Sequence, residues 1–310
     1  MPHTQQDDRT RKKILIMRPG ALGDTLMLAP ALKSLTSTQL VMVAGRKPGL
    51  DFLASVAHRL FDMERAPWHM VFTPRSAPAP PVDTSPDLIV CFLSDPEGVV
   101  KSNLKAWYPE ATVRLYPSLP RPERKLHASL HVALCLKDSG LPLKPEVVHK
   151  RAMDSPVLGF QGDAAKRYIV LHPGSGSRRK NHPLSFWKEL FFQVLEISKP
   201  KELNPAFLLG PAELDAQKEL EAADLGQHVL LSTSSGNLFR ILTQTALFIG
   251  HDSGPTHLAS MMGIPTVSLF KSTDPALWHP LGPCVTIVEG NNSDSELMDK
   301  VISHVKIFRC

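Results

Sequence analysis

The chain has no run approaching the 18 or so apolar residues that a membrane-crossing helix needs, so nothing in it is expected to span a bilayer. Its four cysteines, Cys91, Cys135, Cys284 and Cys310, lack both the paired spacing of a disulfide framework and the clustering of a metal site. Free thiols in a reducing compartment are the simplest reading, and the expected location is cytoplasmic. Residues 1–13 are polar, without the apolar core of a secretory signal, and residues 1–11 read as a disordered lead-in. No short repeat recurs. The third glycine of a dinucleotide fingerprint is missing, and so is the Gly-x-x-x-x-Gly-Lys-Ser/Thr spacing of nucleoside triphosphatases. What remains is 310 residues, 43% hydrophobic and 21% charged, an ordinary globular composition long enough for two domains. The net charge of +5 favours acidic partners only weakly and makes no case for nucleic acid.

Short apolar runs alternate with helical patterns throughout. In the first half, strands are expected at residues 13–17, 40–43, 87–92 and 113–116. A helical pattern runs through Leu28, Ala31, Leu32 and Leu35, with Pro30 kinking or shortening it. Residues 51–57 and 126–136 read as further helices, and the proline-rich stretch 73–86 as a long loop. Composition becomes linker-like over 141–162, which puts the boundary near residue 160. The second half repeats the alternation: strands at 168–171, 206–209, 229–231, 247–249 and 266–270, helices between them, and an amphipathic helix over 295–308. That last helix is a candidate to pack back on the first domain. The expected class is α/β, two Rossmann-like domains facing a cleft.

Three loops could carry chemistry. In the first, residues 251–256, a strand runs into a turn and a helix whose Pro255 suits the first turn and whose Gly263 suits the residue past its end. Free N–H groups near Ser253 and Gly254 at the carboxyl end of a strand make an anion site, read here as a phosphate site. Asp252, Ser253 and His257 resemble a hydrolase triad, but three residues on one turn cannot form the nucleophile–base–orienter geometry. Asp252 or Ser253 serves equally well as the helix cap. In the second loop, Ser175, Gly176 and Ser177 precede Arg178, Arg179 and Lys180; glycine admits a phosphate closely and Lys180 supplies a point charge. In the third, Gly20 and Gly23 precede Asp24, either a helix cap or a general base. The strand that follows ends in Gly45-Arg46, where a dinucleotide site would have an acidic residue; Arg46 leaves an NADP reading open.

Taken together, Ile14-Leu-Ile-Met-Arg-Pro-Gly-Ala-Leu-Gly-Asp24, His172-Pro-Gly-Ser-Gly-Ser177 with Lys180-Asn-His-Pro183, and Asp252-Ser-Gly-Pro-Thr-His257 resemble the ADP-heptose:lipopolysaccharide heptosyltransferases. The blocks lie in family order over residues 13 to about 290. The resemblance implies a GT-B fold and inverting, metal-independent transfer of a sugar from an ADP-activated donor, with no separate cofactor. By position it makes Asp24 the base on the acceptor hydroxyl and Lys180 the cation on the donor phosphate. Ser175, Gly176 and Ser177 fall in the phosphate loop, Glu213 near the ribose, and Asp252, Ser253, Gly254, Thr256 and His257 at the pyrophosphate and sugar. The implied partners are an ADP-sugar and an anionic lipid-linked glycan, which brings the protein to a membrane surface. Arg46-Lys47 and residues 121–125 would suit such an acceptor, or be plain solvated surface. The chain departs from the family at Lys271, usually glycine, at His182, often tryptophan, and at Ser234-Ser-Gly-Asn237. A non-catalytic nucleotide-sugar-binding protein, an NADP oxidoreductase and a GT-B sugar epimerase remain as alternatives.

Overall fold

The computed structural model describes residues 11–74, 80–159, 165–290 and 294–308. The chain divides into two compact units, residues 1–151 and 152–310. The first unit runs β1 (Lys13–Arg18), α1 (Leu22–Leu26), α2 (Ala29–Leu35), β2 (Leu40–Gly45), β3 (Arg59–Asp62), β4 (Leu88–Phe92), α3 (Val99–Trp107), β5 (Thr112–Tyr116), α4 (Ala128–Asp138) and α5 (Pro145–Asp154), the last crossing into the second unit. Its sheet is parallel, in the order β3-β2-β1-β4-β5. The second unit continues with β6 (Tyr168–His172), α6 (Leu184–Ser198), β7 (Asn204–Leu209), α7 (Leu214–Ala222), β8 (Val229–Leu231), α8 (Ser235–Thr243), β9 (Thr245–His251), α9 (Gly254–Met261), β10 (Thr266–Phe270), α10 (Pro275–Trp278), β11 (Val285–Glu289) and α11 (Asp294–Ile307). Its sheet is also parallel, ordered β11-β10-β9-β6-β7-β8.

The central strands are apolar on both faces, as a parallel sheet covered on both sides requires; β2, β4, β9 and β10 are buried at every position. In the second unit Trp187, Leu190, Phe191 and Val194 recur at helical spacing on α6 and are buried against β6 and β7. Each such side chain contributes about 1.5–3 kcal/mol of transfer free energy. α11 lies on α6 and closes the same core with Leu297, Val301 and Val305. Gly263 ends α9 at φ +81°, a left-handed conformation that a Cβ would strain, and that Cβ would also meet the ring of Pro156 at 2.7 Å.

Some elements differ from expectation. The linker-like stretch 141–162 holds α5, whose Val148 and Ala152 are buried; its Pro145 is a helix-start residue that composition reads as loop. Residues 160–162 and most of the expected lead-in lie outside the described residues. The helix expected over 51–57 is a 3-10 turn over Gly49–Leu53. Strands β3 and β11, both half-exposed edge strands, are additional to those expected from sequence. Pro30 ends the first helical pattern by opening a second helix, α2, rather than kinking one. Within the loop 73–86, residues 75–79 are outside the described set; beyond them Val82 is buried, its N–H donating to Tyr108 Oη and its carbonyl accepting from it.

Candidate functional site

Each sheet has one place where chain order reverses between neighbours, and ligands of open α/β sheets bind outside the carboxyl ends of the strands there. In the second unit that point is between β6 and β9, with His172 beside Gly250 in register. The loops leaving β6 and β9 are therefore neighbours, although 72 residues separate Lys180 from Asp252. Lys180 Nζ lies 2.7 Å from Asp252 Oδ2. On the other side of the same carboxylate, Oδ1 is 3.2 Å from His257 Nε2. Asp252 and His257 are buried, while Lys180 remains partly open. Burial works to raise the Asp252 carboxyl, but the hydrogen bonds and charges of His257 and Lys180 outweigh it and hold the group at about 2.

Helix α9 starts beside this pair. Ser253 is its N-cap residue by backbone geometry, yet its hydroxyl does not cap; it sits 2.9 Å from Thr256 Oγ1, which donates to the His251 carbonyl. The first-turn N–H groups thus keep their positive end without a side-chain acceptor, as an anion site needs. Ser253 and His257 are not paired as nucleophile and base. Gly250 makes the close approach of this turn possible, because a Cβ there would stand 2.9 Å from Thr256 Oγ1.

The loop after β6 is braced by its own side chains. The Ser175 hydroxyl is 2.6 Å from Asn181 Oδ1 and 2.8 Å from the Ser177 carbonyl, and it accepts from the Ser177 N–H. Ser175 therefore shapes the loop as much as it faces outward. Gly176 has open space where a Cβ would stand, so no packing demands glycine there. Gly174 is different: a Cβ would run into the Glu213 carboxylate, whose Oε2 accepts from the Gly210 N–H at 2.8 Å. Glu213, from the turn after β7, is thereby seated against the loop after β6.

Two residues that depart from the family pattern, Lys271, where an added phosphate contact or altered donor preference is the expectation, and His182, brace the segment that follows Lys180. Lys271 Nζ donates to the Asn181 carbonyl at 3.0 Å, and the His182 N–H donates to His251 Nε2 at 2.9 Å. His182 and His251 also stack, with ring centroids 5.5 Å apart. Burial first, then the neighbouring His182 and His172, push His251 down to about 3, so its ring is neutral and free to accept. Sequence offered a signal for both, since Lys271 and His182 are departures from the family pattern. What it could not show is that they converge on the segment carrying Lys180.

In the first unit the reversal lies between β1 and β4, and the loop leaving β1 carries Asp24. Asp24 sits in the first turn of α1, where Oδ2 accepts from the Ala21 N–H at 3.3 Å. The cap and an outward catalytic role are compatible, since the bond is long and the side chain half-buried. The basic pair of the next strand end is engaged: Arg46 with Glu64 at 2.7 Å and Lys47 with Asp51 at 3.4 Å. An NADP phosphate or an acidic glycan would have to compete with these carboxylates.

Residues 128–306 match the model of glycosyltransferase family 9 (heptosyltransferase), a stretch that includes Ser175, Lys180, Glu213 and the 252–257 turn but not Asp24. A putative glycosyltransferase of Haemophilus influenzae is 28% identical over 146 residues, 44% of this chain; the matched stretch spans only 40% of that relative's length. The crystal structure of a family 9 glycosyl transferase from Veillonella parvula superposes with a TM-score of 0.65 at 17% identity, covering 94% of this chain and 89% of the other. The Escherichia coli heptosyltransferase WaaC, solved with ADP, gives 0.65 at 16% identity, covering 96% and 99%. At these identities the structural likeness shows a shared fold.

Proposed function

The chain belongs to glycosyltransferase family 9, and from that premise we propose that it moves a sugar, a heptose, from an ADP-activated donor to a lipopolysaccharide-core or related glycan acceptor. The observation that supports this best is the Lys180–Asp252 pair, 2.7 Å apart, beside the uncapped start of α9 at the carboxyl ends of β6 and β9. A cation and helix-terminal N–H groups together match a diphosphate. A solved relative described with ADP, the heptosyltransferase WaaC, supports adenosine as the nucleoside. In this reading Lys180 and the first turn of α9 hold the diphosphate, and Ser175, Gly176 and Ser177 shape the loop around it. Glu213 meets the ribose, while Asp252 and His257 meet the transferred sugar.

The reaction is a single displacement. Asp24 takes the proton of the acceptor hydroxyl, that oxygen bonds to the anomeric carbon from the face opposite the diphosphate, and the carbon–phosphate-oxygen bond breaks. Its electron pair leaves with ADP, and the configuration inverts. Charge grows on the departing diphosphate, so Lys180 and the α9 N–H groups stabilise the transition state more than the ground state. This step needs no metal: Lys180 supplies the positive charge. The acceptor is lipid-linked, which places the protein at the cytoplasmic face of a membrane; among the described residues no helix is long and apolar enough to cross one.

The test is transfer from ADP-heptose to core oligosaccharide, followed by mass spectrometry, in wild type and Asp24→Asn. Product should form in wild type and fall at least a thousandfold in the variant, with ADP affinity unchanged. Undiminished transfer in the variant would leave Asp24 as a cap alone. Thermal stabilisation by NADP but not by ADP would sink the whole reading, and product formation without an acceptor would point to an epimerase.

A further inference from the structure

Arg18 closes β1 and is 1% exposed; no other lysine or arginine among the described residues is buried. None of its three guanidinium nitrogens has a hydrogen-bond partner. The guanidinium lies over the Phe92 ring, 5.3 Å from the centroid, at the end of β4. It therefore sits at the reversal point of the first sheet, between the strand that leads to Asp24 and its neighbour β4. The alternation along β1 sends Leu15 and Met17 to the core under α3 and Arg18 to the opposite face. There it stands in the field of His131 and Cys135 of α4 and of Asp24. Burial above all pushes His131 down, and the charges of Arg18 and Arg124 act in the same direction.

A buried cation with no partner is costly, and replacement by an apolar side chain of similar size commonly leaves a fold no less stable. The stacking over Phe92 offsets part of that cost, while the five N–H donors of the fork stay unused. A fork of this kind matches a carboxylate or phosphate in two-point contact.

We propose that Arg18 is an acceptor-recognition residue, taking a carboxylate or phosphate group of the acceptor glycan beside the hydroxyl that Asp24 deprotonates. This rests on the transferase reading above. At 1% exposure the guanidinium is not an open surface patch. An anion reaches it by displacing neighbouring side chains, so free ions bind poorly and an anion carried on a larger glycan binds well. Arg18 then sets specificity: it anchors the acceptor by charge and leaves the attacking oxygen at Asp24.

The experiment is calorimetric titration, without donor, of core oligosaccharide released from lipopolysaccharide. Three forms are used: native, phosphatase-treated, and carboxyl-reduced. Wild type should bind the native form at least tenfold more tightly than one of the treated forms, which identifies the group. Arg18→Met should bind the native form at least tenfold more weakly and lose all preference between native and treated forms. Arg18→Lys, keeping charge but not the fork, should fall between. The melting temperature of ligand-free Arg18→Met should equal or exceed that of wild type. The proposal is overturned if wild type ignores removal of either charge, or if Arg18→Met loses native and treated forms equally. It is also overturned if wild type binds no form. Transfer by wild type, assayed in parallel, reports separately on the reaction: binding with charge preference but no transfer would fault the transferase reading and leave Arg18 as an anion-recognition residue.

Discussion

If the start of α9 holds a diphosphate, as proposed, a carboxylate is an unexpected neighbour for it, and the Lys180–Asp252 pair turns that into a measurable prediction. The Asp252 carboxyl is held at about 2 instead of its ordinary 3.8, and at 1.36 kcal/mol per pH unit this is a net stabilisation of about 2 kcal/mol after the opposing cost of burial. His257 and Lys180 both contribute, and for the partly exposed Lys180 the scale of such an ion pair is about 1 kcal/mol. In Asp252→Asn the lysine keeps its position but no longer shares its charge. ADP should therefore bind about fivefold more tightly at low salt, with the gain fading toward 0.5 M as screening shortens the reach of the charge. Transfer should nevertheless fall tenfold or more, because in the proposed reading the sugar loses its carboxylate contact and its alignment. Lys180→Met should weaken ADP ten- to a hundredfold. Calorimetry with ADP at two salt concentrations, alongside product formation, measures both. If the two substitutions weaken ADP alike, the pair grips as a unit and the shared-charge argument fails. The same pair predicts an acid limb of stability. A folded value below the unfolded one means the stabilisation is complete above about pH 4 and is lost as pH falls through about 2. Urea midpoints of wild type and Asp252→Asn should therefore converge over that interval.

Other tests address the parts that position the pair. Lys271→Met removes the bond to the Asn181 carbonyl and should raise the KM for ADP-sugar three- to tenfold while kcat changes less than twofold; an equal fall in kcat would place Lys271 in the chemistry itself. His251→Leu, which takes away the acceptor for the His182 N–H, should act in the same direction and cost about 1–3 kcal/mol in urea unfolding, since it orphans a buried donor. Gly174→Ala drives a methyl into the Glu213 carboxylate and should lower both ADP affinity, about tenfold, and the melting temperature; Glu213→Ala in the same chain should restore the melting temperature, though not ADP affinity, if the clash is the cause.

Much of the site was legible because its signals are local. Asp24, Lys180 and the 252–257 turn each follow a short apolar strand, and glycine, proline and a helical period announce the turn whatever the rest of the chain does. Pro255 and Gly263 bracket α9 as their backbone preferences require. Elements whose character comes from packing rather than pattern were missed: β3 and β11 are strands because a neighbour pairs with them, and α5 because Val148 and Ala152 find a core.

Sequence alone determined an α/β chain of two halves, with glycine-containing loops at the carboxyl ends of strands and a helix start at α9 that is a candidate anion site. It did so because turn chemistry and hydrophobic period act within a few residues. Only the tertiary structure decided which loops are neighbours. Strand order sets β6 beside β9, and from that follow the ion pair of Lys180 with Asp252, the support from Lys271 and the acceptance of the His182 N–H by His251. It also leaves Arg18 buried without a hydrogen-bond partner beside Phe92. Such contacts join residues dozens of positions apart, and pairing and burial, which no local pattern encodes, choose among the possible partners.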